Sequence, residues 1–407
     1  MAKDMSLADT KQLGVSEFVQ AIEASSTLAI TTKVAELRRQ GKTVIDLGAG
    51  EPDFQTPDAV CEAGMQAIRA GKTKYTPNAG VLELREAIAS FLNDCGGAYD
   101  PGQILVCCGA KQAIYNALLA VCDPGDEVIV ITPYWTSYPQ QVKMARAQSV
   151  FLQAPQSNGY KVTAGQLADA MTPKTRLVVF NSPSNPTGAV YTEAELSEIA
   201  DVIAQSKVYI LSDEIYMKLV YDGLQPVSMA KFPQIRDQLI LVNGLSKSHA
   251  MTGWRVGYLA AQQQIVKAAA KIQSHSTSNI TSISQYAAIA ALSLDESELE
   301  KMRKTFAERR DFVVGRLQKM PGIVLSMPQG AFYVYPDFQA YLGKNHRGKK
   351  LATTLGIASF LLDNAGVAVV QGEAFGSTDN IRLSYANSME NLTKAMDQIE
   401  AALQLVQ

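Results

Sequence analysis

Between about residue 57 and residue 261, short apolar runs of strand type recur along the chain: ILVCC, EVIVI, RLVVF, VYILS, LILVN and VGYLAA. Longer stretches with helical spacing, such as PDAVCEAGMQAIRAG, VLELREAIASFLNDC, KQAIYNALLAV and TEAELSEIADVIAQS, lie before and between them. Strands alternating with helices favour a largely parallel, helix-covered sheet, so the expected fold class is α/β. The large domain is placed at residues 49–299. Residues 296–320, ESELEKMRKTFAERRDFVVGRLQKM, read as a long charged helix leaving it. Beyond that helix come strand-like GAFYVYPDF, a helix around LATTLGIASFLLDNAG, then VAVVQG and IRLSYA, which suggest a smaller α+β domain of residues 300–407. Residues 1–48 are added to it, with apolar residues at helical spacing over 16–40 and an end at Gly41.

Hydrophobic residues make up 47% of the 407 residues and charged residues 19%, which excludes a disordered or fibrous chain. The formal net charge of −2 and the lack of a basic run argue against a nucleic-acid binder. No apolar run approaches the ~18 residues needed to cross a bilayer, and MAKDMSLADTKQLG lacks the apolar core of a signal peptide, so no membrane partner and a cytoplasmic location are expected. Cys61, Cys95, Cys107, Cys108 and Cys122 form no CxxC pair, and His249, His275 and His346 lie far apart. No metal site is therefore expected.

Chemistry concentrates at the ends of the strand-like runs. ILVCCGAKQAIYNAL is a strand, a glycine turn and a helix, whose first free N–H groups would fall near Gly109, Ala110 and Lys111 and attract phosphate. It is neither GxGxxG nor a Walker loop. NSPSNPTG at 181–188 and SDEIY at 212–216 follow two other strands, where ligands of open α/β sheets collect. NGLSKSHAMTGWRVGY places Lys247 after LILVN and Arg255 eight residues later. A strand-end Lys forms a Schiff base with an aldehyde, a carboxylate such as Asp213 holds a pyridine nitrogen protonated, and helix N–H groups with an Arg bind phosphate. Pyridoxal 5'-phosphate needs all three. With NPTG, SDEIY, SK and GWRVGY together, the chain resembles fold-type I pyridoxal-phosphate enzymes, and among them class I aminotransferases of the aspartate aminotransferase family. The resemblance runs from LGAGEPDF to IRLSYA and implies a mostly parallel, seven-stranded sheet.

By that resemblance Lys247 holds the cofactor and then acts as the general base at the substrate α-carbon. Asp213 faces the pyridine nitrogen, Asn185 and Tyr216 hydrogen-bond the ring phenolate oxygen, and Trp135 stacks on the ring. The phosphate falls to Gly109, Ala110, Lys111, Ser246 and Arg255, with Tyr75 of KYTPNAG reaching in from a partner subunit, which implies a homodimer with shared active sites. Gly244 stands where some relatives carry a serine phosphate ligand. Arg382 of IRLSYA would clasp the substrate α-carboxylate at two points, and Gly50 of LGAGEPDF would contact it through backbone. Trp135 and Asn185 would also border the substrate. Residues 273–286 contain no Arg, so Lys111 of GAKQ is the expected partner of a distal carboxylate. Thr27 of SSTLAIT matches a residue associated with prephenate. The resemblance thus implies amino-group transfer between L-aspartate and 2-oxoglutarate, with prephenate as an added acceptor. The cofactor residues alone leave open transamination of alanine or an aromatic amino acid, or a β-elimination. An aminotransferase-like transcription regulator would need a DNA-binding module before residue 40, where only a short non-basic segment stands.

Overall fold

The computed structural model describes residues 14–406, without the side chain of Thr27. Seven strands build the main sheet: β1 (Ile104–Cys108), β2 (Glu127–Thr132), β3 (Gln148–Gln153), β4 (Thr175–Asn181), β5 (Tyr209–Asp213), β6 (Leu239–Gly244) and β7 (Val256–Ala260). Their order is β1-β7-β6-β5-β4-β2-β3. Pairings from β6 through β3 are parallel, while β7 runs antiparallel to both neighbours. The reversal has a plain cause. Only residues 245–255 separate β6 from β7, and they form no helix, too little chain for a parallel crossover. Arg255 is thereby returned to the same end of the sheet as Lys247.

Successive strand residues face opposite sides, and each side carries its own core. Val106, Val178 and Ile210 pack with Leu84, Ile88, Leu196 and Ile199 of the helices Leu82–Asp94 and Glu193–Ala204. Leu105, Val179 and Leu211 pack with Ile114, Leu118 and Val142 of the helices Ala110–Val121 and Ser137–Met144. A third core joins Ile45 and Leu47 to the helix Glu296–Leu317, the strands Tyr333–Val334 and Ile381–Ser384, and the helices Thr354–Ala365 and Met389–Leu403. Tyr216, Leu219 and Tyr221, which follow β5, also enter this third core. The segment after Asp213 therefore bridges two bodies of packed side chains.

The apolar spacing over residues 16–40 predicts one helix, but the chain makes two, Glu17–Gln20 and Ser26–Arg39. Tertiary bonds compensate the break: Gln140 Oε1 accepts from Glu23 N at 3.0 Å, and Lys143 Nζ donates to Ala21 O at 2.6 Å. Charge is also less even than the sequence reading has it. The hairpin formed by Asn345–His346 and Lys349–Lys350 exposes Lys344, Arg347, Lys349 and Lys350 within seven residues. Among the described residues no helix is long and apolar enough to cross a membrane.

Candidate active site

A cleft of about 700 Å³ opens where β4, β5 and β6 end, closed on its far side by Tyr333 and Arg382. At one end β1 turns into the helix Ala110–Val121 through Gly109, whose φ of +77° suits glycine. The Arg255 guanidinium lies so close that a Cβ on Gly109 would sit 2.5 Å from Nη2, and one on Gly257 would meet Ala110 N at 2.3 Å. Arg255 donates to Thr252 O at 2.8 Å and Cys108 O at 3.3 Å, and pairs with no carboxylate among the described residues. The Gly109 N–H is not free at this turn, because it already donates to Cys107 O at 2.7 Å. The donors at the helix start are thus Ala110 N and Lys111 N, which have no acceptor one turn earlier. Ser246 borders the same cleft and is buried. Gly244 admits no side chain: a Cβ there would meet Val256 O at 2.8 Å and Gly257 Cα at 2.9 Å across the β6–β7 pairing.

The central groups come from the next strand ends. Asp213 closes β5 and is buried; Tyr138 Oη donates to its Oδ2 at 2.7 Å, Ile215 N to its Oδ1 at 3.2 Å, and Asn181 Nδ2 to its backbone oxygen at 2.8 Å. Burial outweighs these donors and pushes the carboxyl up to about 6. Tyr216 Oη lies 2.9 Å from Tyr333 Oη, and burial holds its phenol well above the ordinary range. Lys247, in the link from β6 to β7, donates from Nζ to Gly50 O. Enclosure by protein lowers its amine to about 8, against the opposing pull of Glu51.

Arg382 is 1% exposed and has no carboxylate partner among the described residues. Nη1 donates to Asn185 Oδ1 at 3.0 Å, Nη2 donates to Gly48 O at 2.7 Å, and Nε has no acceptor. The Tyr333 and Phe375 rings lie 4.4 and 5.0 Å from its Cζ. Burying a cation among neutral groups is costly unless an anion joins it. Gly50 keeps the approach open, since a Cβ there would come within 3.1 Å of Tyr333 Oη. Across the cleft Lys111 Nζ stands 5.0 Å from the Trp135 ring centroid, and enclosure, then the Arg255 charge, lowers its amine.

Eleven of the fourteen residues singled out from sequence line this cleft, and Gly109 forms its cradle. Tyr75 does not: its side chain is 92% exposed and is not among the residues lining its own chain's cleft. Thr27 lies in the first turn of Ser26–Arg39, and its side chain is outside the described residues. The sequence reading misses Tyr138, Asn181 and Tyr333. The first had a signal, for Tyr138 follows Trp135 by three residues in PYWTSYP, at the start of Ser137–Met144.

A family model described as aminotransferase class I and II matches residues 42–399. The aspartate aminotransferase of Geobacillus stearothermophilus is 45% identical over 383 residues, covering 94% of this chain and 96% of that one. An aspartate/prephenate aminotransferase of Cereibacter sphaeroides is 45% identical over 391 residues, 95% of this chain and 98% of its own. Among solved structures, the aspartate aminotransferase from Rhizobium meliloti superposes with a TM-score of 0.93 at 41% identity, covering 97% of this chain and all of that one. The Thermus thermophilus aspartate aminotransferase with maleate gives 0.90 at 40% identity, over 96% of this chain and 100% of its own. With the fold in agreement with matches over most of its length, this chain belongs to the class I and II aminotransferase family.

Proposed function

We propose that the chain is an aspartate aminotransferase, moving the amino group of L-aspartate reversibly to 2-oxoglutarate. The observation that carries this reading is a pair of cations without carboxylate partners among the described residues, Arg382 and Lys111, lining one cleft. A dicarboxylate satisfies both, and the Thermus relative was solved with one. Enzymes of this family use pyridoxal phosphate, which when bound withdraws electrons from the substrate α-carbon. The residues fit such a group. Ala110 N, Lys111 N, Ser246 and Arg255 would hold its phosphate in the glycine cradle, Asp213 its ring nitrogen, Asn185 and Tyr216 its ring oxygen, and Trp135 its face. Lys247 would hold it covalently.

In the working site Arg382 orients the amino acid by its α-carboxylate, with Gly50 beside it. Lys247 Nζ, whose amine is lowered to about 8, moves the proton at the α-carbon near neutral pH. Asp213 carries a burial cost that a facing cation offsets. Two domains, 49–299 and 1–48 plus 300–407, fit the separate cores, and Tyr75, exposed and not lining its own cleft, suits a site completed by a second copy in a homodimer. Prephenate is a second acceptor under this reading. It too carries two carboxylates, and the Cereibacter relative is named for it.

The test is oxaloacetate production from L-aspartate and 2-oxoglutarate by the purified enzyme. Lys247→Ala is expected to abolish it, and full turnover in that variant without added amine would overturn the assignment.

A further inference from the structure

Directly after Asp213 stands a second buried carboxyl, Glu214, that the mechanism above does not use. It is 2% exposed, and its backbone N–H donates to Val242 O at 2.9 Å, fixing it to β6. The two side chains part to opposite faces. Asp213 meets Tyr138 on the cleft side, whereas Glu214 turns toward Ser212 and the Met229–Lys231 turn. Ser212 Oγ reaches Oε1 at 3.0 Å and Met229 N reaches the same oxygen at 2.9 Å, the buried Ser228 hydroxyl also acts on the carboxyl, and Oε2 is buried with no hydrogen bond. A carboxylate spreads its charge over both oxygens and needs donors at each. A carboxylic acid carries no net charge to be compensated, so leaving one oxygen without a donor costs it less than it costs a carboxylate.

We infer that Glu214 works as a neutral carboxylic acid, and that its neutrality keeps the adjacent Asp213 as the anion of the pair. The inference about Asp213 rests on the function proposed above. The groups around Glu214 supply no counter-charge. Asp213 neighbours it on its own strand, Cys95 and Tyr99 face it from beyond the helix Leu82–Asp94, and Tyr258 faces it from β7. The cations of this region are engaged elsewhere: Lys218 pairs with Glu296 at 2.9 Å, and Arg236 donates to Ala98 O. Burial pushes Glu214 up to about 7, with the neighbouring Asp213 charge adding to the rise, and burial likewise raises Asp213 to about 6. Two adjacent buried carboxyls do not both ionise cheaply.

Infrared difference spectra of the cofactor-loaded enzyme against Glu214→Gln test this directly. The parent should show a protonated-carboxyl band below about pH 7 that is missing from the variant. Labelling glutamate with carbon-13 should shift that band in the unsubstituted protein, so the test survives a variant that does not fold. A parent with only carboxylate bands at Glu214 over this range overturns the inference. The turnover profile gives the second arm. Gln replaces a neutral acid with a neutral amide, so the acid limb should stay where it is. An acid limb moved to lower pH would mean that Glu214 was an anion repelling Asp213, and would also overturn it. Should the parent show the band but transaminate nothing, the proposed function fails while the protonation of Glu214 stands.

Discussion

Arg382→Lys should lower kcat/KM for every amino acid substrate, acidic or neutral, by roughly 10- to 150-fold. The magnitude comes from counting donors. A guanidinium has five N–H groups, and two already serve Asn185 Oδ1 and Gly48 O, which leaves Nε–H and one hydrogen on each Nη for a carboxylate. An ammonium has three. If it keeps the same two neutral acceptors, one remains, and the substrate loses one of two charge-assisted bonds. Such a bond is worth ~1.5–3 kcal/mol, which at 1.36 kcal/mol per decade gives the stated range. Steady-state kinetics with aspartate, glutamate and alanine measure it, with cofactor affinity by equilibrium dialysis as control. Uniform loss across the three with unchanged cofactor affinity is expected. A loss below about threefold, or one confined to acidic substrates, would refute the view that Arg382 holds the group common to all amino acids.

Lys111→Met should do the reverse, reducing kcat/KM for aspartate and glutamate roughly 10- to 100-fold while leaving alanine nearly unchanged, because only the distal carboxylate is unpaired. Tyr138→Phe removes a donor that lowers the Asp213 carboxyl, so that carboxyl rises; the acid limb of the kcat/KM profile should move to higher pH, and an unmoved limb would remove Tyr138 from the account. Gly109→Ala places a Cβ against Arg255 at a φ of +77°, and should cost ~1–2 kcal/mol of stability in urea titration together with weaker cofactor binding. Stability should also depend on the protonation of Glu214. Its folded value lies above the unfolded 4.5, so the stabilisation is complete below about 4.5 and is lost as pH rises to about 7. Glu214→Gln should flatten that part of the curve of melting temperature against pH.

Much of this was legible in the sequence because the informative residues sit where strands end. ILVCC, RLVVF, VYILS and LILVN name the strands, and the next few residues name Gly109, Asn185, Asp213 and Lys247. The direction of VGYLA was not legible as a run of apolar letters. It follows from the short, helix-free link 245–255, which reads as a loop only once Lys247 and Arg255 are seen at one sheet end. Tyr333 was hidden for another reason. In GAFYVYPDF every aromatic residue looks like core, and all four are indeed buried, yet one of them aims its hydroxyl at Tyr216 and its ring at Arg382. Burial is encoded locally, whereas that contact needs two segments more than a hundred residues apart to pack together. The N-terminal break at 21–25 is of the same kind, stabilised by Gln140 and Lys143 rather than by any local signal.

The central claim is that one cleft selects dicarboxylates through Arg382 and Lys111. The most direct measurement is the absorption spectrum of the cofactor-loaded enzyme, titrated separately with L-aspartate, L-glutamate, L-alanine and L-phenylalanine. The account predicts conversion of the cofactor to its amine form at low concentrations of the two acidic amino acids, and only at far higher concentrations of the other two. Equal conversion by alanine or phenylalanine would contradict it, leaving an aminotransferase whose substrate is not set by Lys111.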